Sequence, residues 1–248
     1  MKYLNKSLQE AYSKLWCKFG NEVFRFKEAA NILEREKSAV LNILSLLKRK
    51  GWIAVIGRKG KERIYKLVEP NDAVFALSEL KNLENIQTRY APLIIKACRL
   101  LFERLGENLI SIVLYGSVAR GNATPFSDID LLIVADNLGN SLGERLDYLY
   151  KLIEETENEI KILRMHNIFA NISLFPLSRK EAKRFIPLYL DISQEGIIIF
   201  DTGEFFAKLM NRLRSIMEMA GVKKRYFGKQ WYWEMNPKKE FQVIAIES

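Results

Sequence analysis

Apolar side chains recur at helical spacing near the start of the chain, Leu4, Leu8, Tyr12 and Leu15, and predict an amphipathic helix over residues 3–18 that Gly20-Asn21 closes. Phe24-Arg25-Phe26 is short and extended, and residues 27–33, with Ala29, Ala30, Ile32 and Leu33, form a brief second helix. After Arg35-Glu36-Lys37 a third helix keeps Val40, Ile43, Leu44 and Leu47 on one face, carries Lys48-Arg49-Lys50 in its last turn and stops at Gly51. The period then changes. Residues 52–56 and 63–68 are strand-like runs around the basic turn Gly57-Arg58-Lys59-Gly60-Lys61, so they read as a β-hairpin.

Glu69-Pro70-Asn71-Asp72 marks a boundary, which divides the chain into residues 1–70 and 71–248. A helical region over about 74–105 follows, then a strand at 109–115 that breaks at Gly116-Ser117. A polar Gly/Asn/Thr/Pro loop leads to a second apolar run ending in Ile133-Val134. Both runs are too continuously apolar to have one face in water, and they predict neighbouring buried strands. Ser141-Leu142-Gly143-Glu144 is a capping box that opens a helix to about Arg164. Residues 167–175 read as a third strand, with Asn167, Phe169, Asn171 and Ser173 on one face. Short helices at 179–185 and 188–192, a strand at 196–200, a helix at 204–219 and an aromatic tail with Trp231-Tyr232-Trp233 and Phe241-Gln242-Val243-Ile244 complete the chain. The expected class is α+β in two domains, the second holding a small mixed sheet flanked by helices.

Composition sharpens this outline. With 248 residues, 48% of them hydrophobic, the chain can bury real cores, and it shows no internal repeat or low-complexity segment. No apolar stretch approaches the roughly 18 residues of a membrane span and no signal peptide is evident, so a cytoplasmic location and no membrane partner are expected. Cys17 and Cys98 are far apart and form no ligand or redox motif; two reduced, buried thiols are the expectation. With His166 as the only histidine, mechanisms needing a histidine pair and zinc sites rich in histidine are excluded. Lys and Glu abundance hints at a thermophilic source. Charge is unevenly placed: residues 1–70 hold 16 Lys/Arg and 7 Asp/Glu, whereas residues 71–248 hold 23 of each. All of the net +9 therefore lies in the first segment, which suits a polyanionic partner there.

Asp128 and Asp130 are two residues apart at the head of the second strand, so both carboxylates share a face while Ile129 points the other way. Like charges so close call for a cation, and oxygen ligands suit a hard divalent ion, Mg²⁺ or Mn²⁺. Across the loop, Gly116 allows close backbone approach and Ser117 starts a short helix whose amides can face a phosphate.

Gly116-Ser117 followed by Ser127-Asp128-Ile129-Asp130 resembles the signature of the DNA polymerase β-like nucleotidyltransferase superfamily. Gly-Ser-x-Ala-Arg-Gly, residues 116–121, resembles its minimal prokaryotic and archaeal branch. The resemblance implies that Gly116, Ser117, Arg120 and Ser127 bind a nucleoside triphosphate and that Asp128 and Asp130 hold metal and are catalytic. The implied reaction is in-line attack of an acceptor hydroxyl, on a protein or nucleic acid, at the α-phosphate. The chain departs from the family in one respect. Active members carry a third carboxylate on a later strand, and residues 167–175 offer only Asn171 or Ser173, with Asn171 as the candidate third ligand.

Residues 26–68 resemble a winged helix-turn-helix domain. That resemblance implies duplex DNA or RNA contacts from Lys37 and Asn42 on the third helix and from Arg58, Lys59, Lys61 and Arg63 on the wing, mostly to phosphates. A role in protein contacts or in a homodimer stays open for this domain. Two rivals to a transferase follow: a DNA-binding regulator whose transferase domain senses nucleotide or is degenerate, and an antitoxin-like partner of a toxin.

Overall fold

The structure, a computed structural model, describes residues 1–228 and 230–234, so the tail residues Phe241-Gln242-Val243-Ile244 lie outside the described residues. Asn5 opens α1 (Lys6–Phe19) by accepting the Leu8 N–H at 3.0 Å, and β1 (Val23–Arg25), α2 (Phe26–Leu33) and α3 (Lys37–Lys50) follow. The hairpin β2 (Ile53–Lys59) and β3 (Glu62–Leu67) then pairs with β1 in an antiparallel sheet of order β1-β3-β2. The helical faces read from the sequence are the buried ones: Leu15, Phe24, Leu44, Leu47 and Leu67 pack together with almost no exposure. Tyr12 reaches across to donate its hydroxyl to the Val68 carbonyl at 2.5 Å.

The expected single helical region at 74–105 is two helices, α4 (Pro70–Ser78) and α5 (Ala91–Leu105). Asn82 takes a left-handed conformation (φ 57°) between them, and Pro92, with no N–H to give, fits the first turn of α5. Next come β4 (Leu109–Tyr115), the four-residue α6 (Gly116–Ala119), β5 (Ile129–Ala135), α7 (Leu142–Leu152), α8 (Glu157–Met165) and β6 (Ile172–Leu177). Ser141 and Glu144 exchange hydrogen bonds at 3.2 Å in the expected capping box. After α9 (Arg179–Ala182) and α10 (Leu188–Glu195), β7 (Ile197–Asp201), α11 (Phe205–Ala220) and a hairpin of β8 (Lys223–Phe227) with β9 (Gln230–Glu234) complete the described chain.

The central sheet has order β6-β5-β4-β7, with β5 parallel to β6 and the other pairs antiparallel. Both faces are covered, which is why its strands are so apolar: Ile112, Leu114, Leu131 and Ile133 meet α5 and its neighbours, while Ile110, Val113, Leu132 and Val134 meet α10 and α11. The first core also takes in Ala54, Ile56, Ile64 and Val68 from the β2–β3 hairpin. Beside that apolar contact lies a buried ionic cluster. Lys96 Nζ is 3.2 Å from Glu159 and 3.7 Å from Glu69, Arg99 holds Asp72 at 2.6 Å, and Lys66 donates to the Asn21 carbonyl at 3.1 Å.

Two expectations are corrected here. The third strand begins at Ile172 and not at Asn167, because Asn167 is left-handed (φ 60°) and the Phe169 N–H bonds the Pro125 carbonyl at 2.7 Å instead of a sheet partner. Cys98 is buried, but Cys17 lies on the outer face of α1 and is exposed; neither is in a disulfide. Among the described residues no helix is long and apolar enough to cross a membrane.

Candidate functional site

The signature loop is built from the end of β4 to the start of β5. Asp130 lies opposite Tyr115 in the antiparallel β4–β5 register and opposite Ser173 in the parallel β5–β6 register. Ile129 is fully buried, so the strand's alternation sends the neighbouring carboxylates toward the loop face. Gly116 is tied to Asp130 by space as well as by conformation. Its φ is +72°, and a Cβ there would sit 2.1 Å from Asp130 Oδ2, closer than real Cβ contacts allow.

Burial, then the nearby Asp128 charge, pushes the Asp130 carboxyl above its ordinary value, while Arg120 and a hydrogen bond from Ser173 pull it back. Asp128 is exposed, and its Oδ1 accepts the Asn171 backbone N–H at 3.1 Å. The Asn171 side-chain oxygen accepts from Arg164 Nη2 at 2.6 Å. The oxygen facing Asp130 across β6 thus belongs to Ser173, and Asn171 meets the pair through its main chain. Among the described residues no group of three or more His, Cys, Asp or Glu side chains converges on a metal position. The donor set of two carboxylates plus a hydroxyl still suits a hard divalent ion that completes its shell from water and phosphate.

Ser127 serves the loop itself: its Oγ accepts the Thr124 N–H at 2.9 Å and lies 3.2 Å from Thr124 Oγ1. Two residues that the sequence did not single out pin this loop to the start of α5. Arg89 donates to the Ala123 carbonyl at 2.7 Å and the Tyr90 hydroxyl to the Thr124 carbonyl at 3.2 Å. No local motif announces them, since each works through a carbonyl more than 30 residues away.

Arg120 turns toward the C-terminal hairpin. It lies 3.4 Å from Glu195 and 4.9 Å over the Trp231 ring, and its Nε is buried with no hydrogen-bond partner. With Lys224, Tyr226 and Trp231 it lines a cleft of about 560 Å³ beside α6. Trp231 belongs to the aromatic tail noted in the sequence. Its indole N–H donates to Asp191 at 3.1 Å, and it also walls this cleft.

Lys37 and Asn42 on α3 and Arg58, Lys59, Lys61 and Arg63 on the hairpin are all exposed. Gly57 of the hairpin is close to His166 at the end of α8.

Residues 95–188 match the family model described as "Nucleotidyltransferase domain". A relative from Methanocaldococcus jannaschii, named a putative protein adenylyltransferase, is 28% identical over 135 residues, which cover 54% of this chain and 85% of that one. Two solved structures, a toxin-antitoxin with AMP-PNP and a mutant of the toxin-antitoxin MntA-HpeT, each align over 51% of this chain and 90% of theirs at 17% identity, with a TM-score of 0.34.

Proposed function

We propose that this chain transfers a nucleoside monophosphate from a nucleoside triphosphate to a hydroxyl of a macromolecular acceptor, with Mg²⁺ or Mn²⁺ as cofactor. The observation that carries this reading is the nesting of the Asp130 carboxylate over Gly116, which sets the carboxylate pair against the backbone of a Gly-Ser turn. Asp128 and Asp130 would hold the metal, which when bound supplies positive charge against the carboxylates and the phosphates. Gly116 and Ser117 leave room for phosphate oxygens, and Arg120, paired with Glu195, borders that turn. The acceptor oxygen bonds to the α-phosphorus as the bond to the β-phosphate oxygen breaks. Pyrophosphate leaves, and the hydroxyl proton passes to solvent or to a carboxylate. The name of the M. jannaschii relative supports ATP as donor and a protein as acceptor.

The test is incubation with each α-labelled triphosphate, Mg²⁺ or Mn²⁺, and native lysate or RNA. Label should enter a macromolecule, and the double substitution Asp128→Ala with Asp130→Ala should abolish it. Absence of metal-dependent triphosphate binding in the unmodified chain would sink the reading. A second reading has its own support, because Ser173 stands where a third carboxylate would serve as base: residues 1–70 bind nucleic acid and the second domain senses nucleotide without turnover. Salt-sensitive duplex binding that disappears on removing residues 1–70, together with no pyrophosphate release, would favour it.

A further inference from the structure

We infer that the cleft between α6 and the β8–β9 hairpin is the subsite for the nucleobase of the triphosphate, and this rests on the reading of Gly116, Ser117, Asp128 and Asp130 as the phosphate and metal end. Position comes first. Leu114 pairs with Ile197, so the start of β7 lies beside the end of β4, and the cleft opens next to the Gly116 turn on that side. Arg120, whose backbone N–H bonds the Gly116 carbonyl at 3.1 Å, is on the cleft lining and ties it to that turn. Size comes second: about 560 Å³ falls within the range of small-molecule clefts, roughly 300–1,000 Å³.

The lining chemistry then selects which end of a nucleotide enters. Both cations of the cleft are already neutralised: Arg120 by Glu195, and Lys224 by Glu195 and by Asp191 at 3.8 Å. The cleft therefore has little positive charge to spare for a triphosphate, and an uncharged group suits it better. Two aromatic rings face it. Tyr226 is 69% exposed, so its ring is open to a ligand, with Lys224 5.9 Å from its centroid, and Trp231 is steadied by Lys224 at 4.6 Å and Arg120 at 4.9 Å from its centroid. The amides of Asn85, Asn122 and Gln194 on the same lining each offer both donors and acceptors, as the edge of a base requires. Rings for the face and amides for the edge describe a heteroaromatic ligand.

The experiment compares ATP with inorganic tripolyphosphate, each with Mg²⁺, by titration against the full chain, with tryptophan fluorescence as a second readout. Tripolyphosphate reports the phosphate and metal end alone, and ATP reports both ends. ATP should bind about 5- to 100-fold more tightly, the range of one base stacked on aromatic rings, and should quench fluorescence that tripolyphosphate leaves unchanged. Tyr226→Ala should remove most of that advantage without altering tripolyphosphate affinity, and Gln194→Ala should reduce it. Both side chains are exposed, so neither change disturbs the core. Equal affinities for ATP and tripolyphosphate, or an ATP advantage that survives Tyr226→Ala, would overturn the base subsite and leave the phosphate end standing. Absence of binding by either probe would overturn both.

Discussion

Replacing Gly116 with alanine separates the two demands made on that position. The first is conformational: φ is +72°, and holding an L-residue in the left-handed region costs roughly 1–2 kcal/mol. For a chain of this size each kcal/mol moves Tm by about 2–4 °C, so the backbone alone predicts a fall of roughly 2–8 °C. The second demand is steric. The new Cβ would stand 2.1 Å from Asp130 Oδ2, and the carboxylate must retreat by more than 1 Å to reach the 3.4 Å at which ordinary contact begins. A displacement of about 1 Å in a reacting group costs on the order of 100-fold in rate. Gly203→Ala is the control, because Gly203 is also left-handed (φ 60°) and its Cβ would meet nothing within 4 Å. The two variants should melt at similar temperatures, and only Gly116→Ala should lose metal-dependent triphosphate binding and label transfer. Equal loss of binding in both, or full binding in Gly116→Ala, would refute the claim that Gly116 exists to seat Asp130.

Three further outcomes can be measured. Lys96→Met strands Glu159, 4% exposed and with Oε2 already lacking a partner, together with Glu69; breaking a buried pair costs about 3–5 kcal/mol, so Tm should fall by roughly 6–20 °C in a thermal melt. Burial outweighs the Arg99 contact and pushes the Asp72 carboxyl up to about 6 from an ordinary 3.8. Between those values the folded chain binds more protons than the unfolded one, so this contribution to stability is full below about pH 4 and is lost as pH rises through 6. Thermal melts of wild type against Asp72→Asn should show the difference across that window, on the order of 2–3 kcal/mol, and a flat difference would contradict it. Lys59→Glu with Lys61→Glu on the exposed hairpin turn should weaken duplex binding at all sequences and flatten its salt dependence by about 0.9 in log–log slope for each phosphate that is no longer neutralised; an unchanged slope would remove this turn from any nucleic-acid interface.

What could be read from the sequence was what rests on local physics. Helical faces such as Val40, Ile43, Leu44 and Leu47, the capping box at Ser141, and the doubly buried strands around Gly116 and Asp130 are set by spacing within a few residues. What escaped depends on distant partners. The late start of β6 follows from the Phe169 N–H finding Pro125, 44 residues earlier, and the split of the 74–105 region from Asn82 turning left-handed, a choice open to asparagine but not dictated by it. The closeness of Asp130 to Gly116 was legible because the Gly-Ser and Asp-x-Asp elements lie at fixed spacing on adjoining strands. The turn of Asn171 toward Arg164 was not, since an amide on a strand face and one held by an arginine seven residues back look the same in one dimension.

On the proposed reading, the sheet order gives the two sides of the carboxylate pair different work. Asp130 lies on β5 between β4 and β6, and Gly116 extends from β4, whose other neighbour is β7. A triphosphate resting on the Gly116 turn with its base toward Arg120 and Trp231 occupies the β7 side. That reading leaves the β6 side for the acceptor, opposite the leaving pyrophosphate in an in-line displacement. On that side stand Ser173 and the exposed, stacked rings of Phe126 and Phe169, 5.4 Å apart and two residues from Asp128 and Asn171 respectively. Ser173 carries no charge with which to take the acceptor proton, and Asp130 is held above the ordinary carboxylate range by burial and by Asp128. That raised value sets a direction for pH: metal-dependent binding, which needs Asp130 ionised, should fail on acidification at a higher pH than an ordinary aspartate would impose. A titration of Mg²⁺-dependent ATP binding from pH 7 downward checks this, and loss only near pH 4 would refute it.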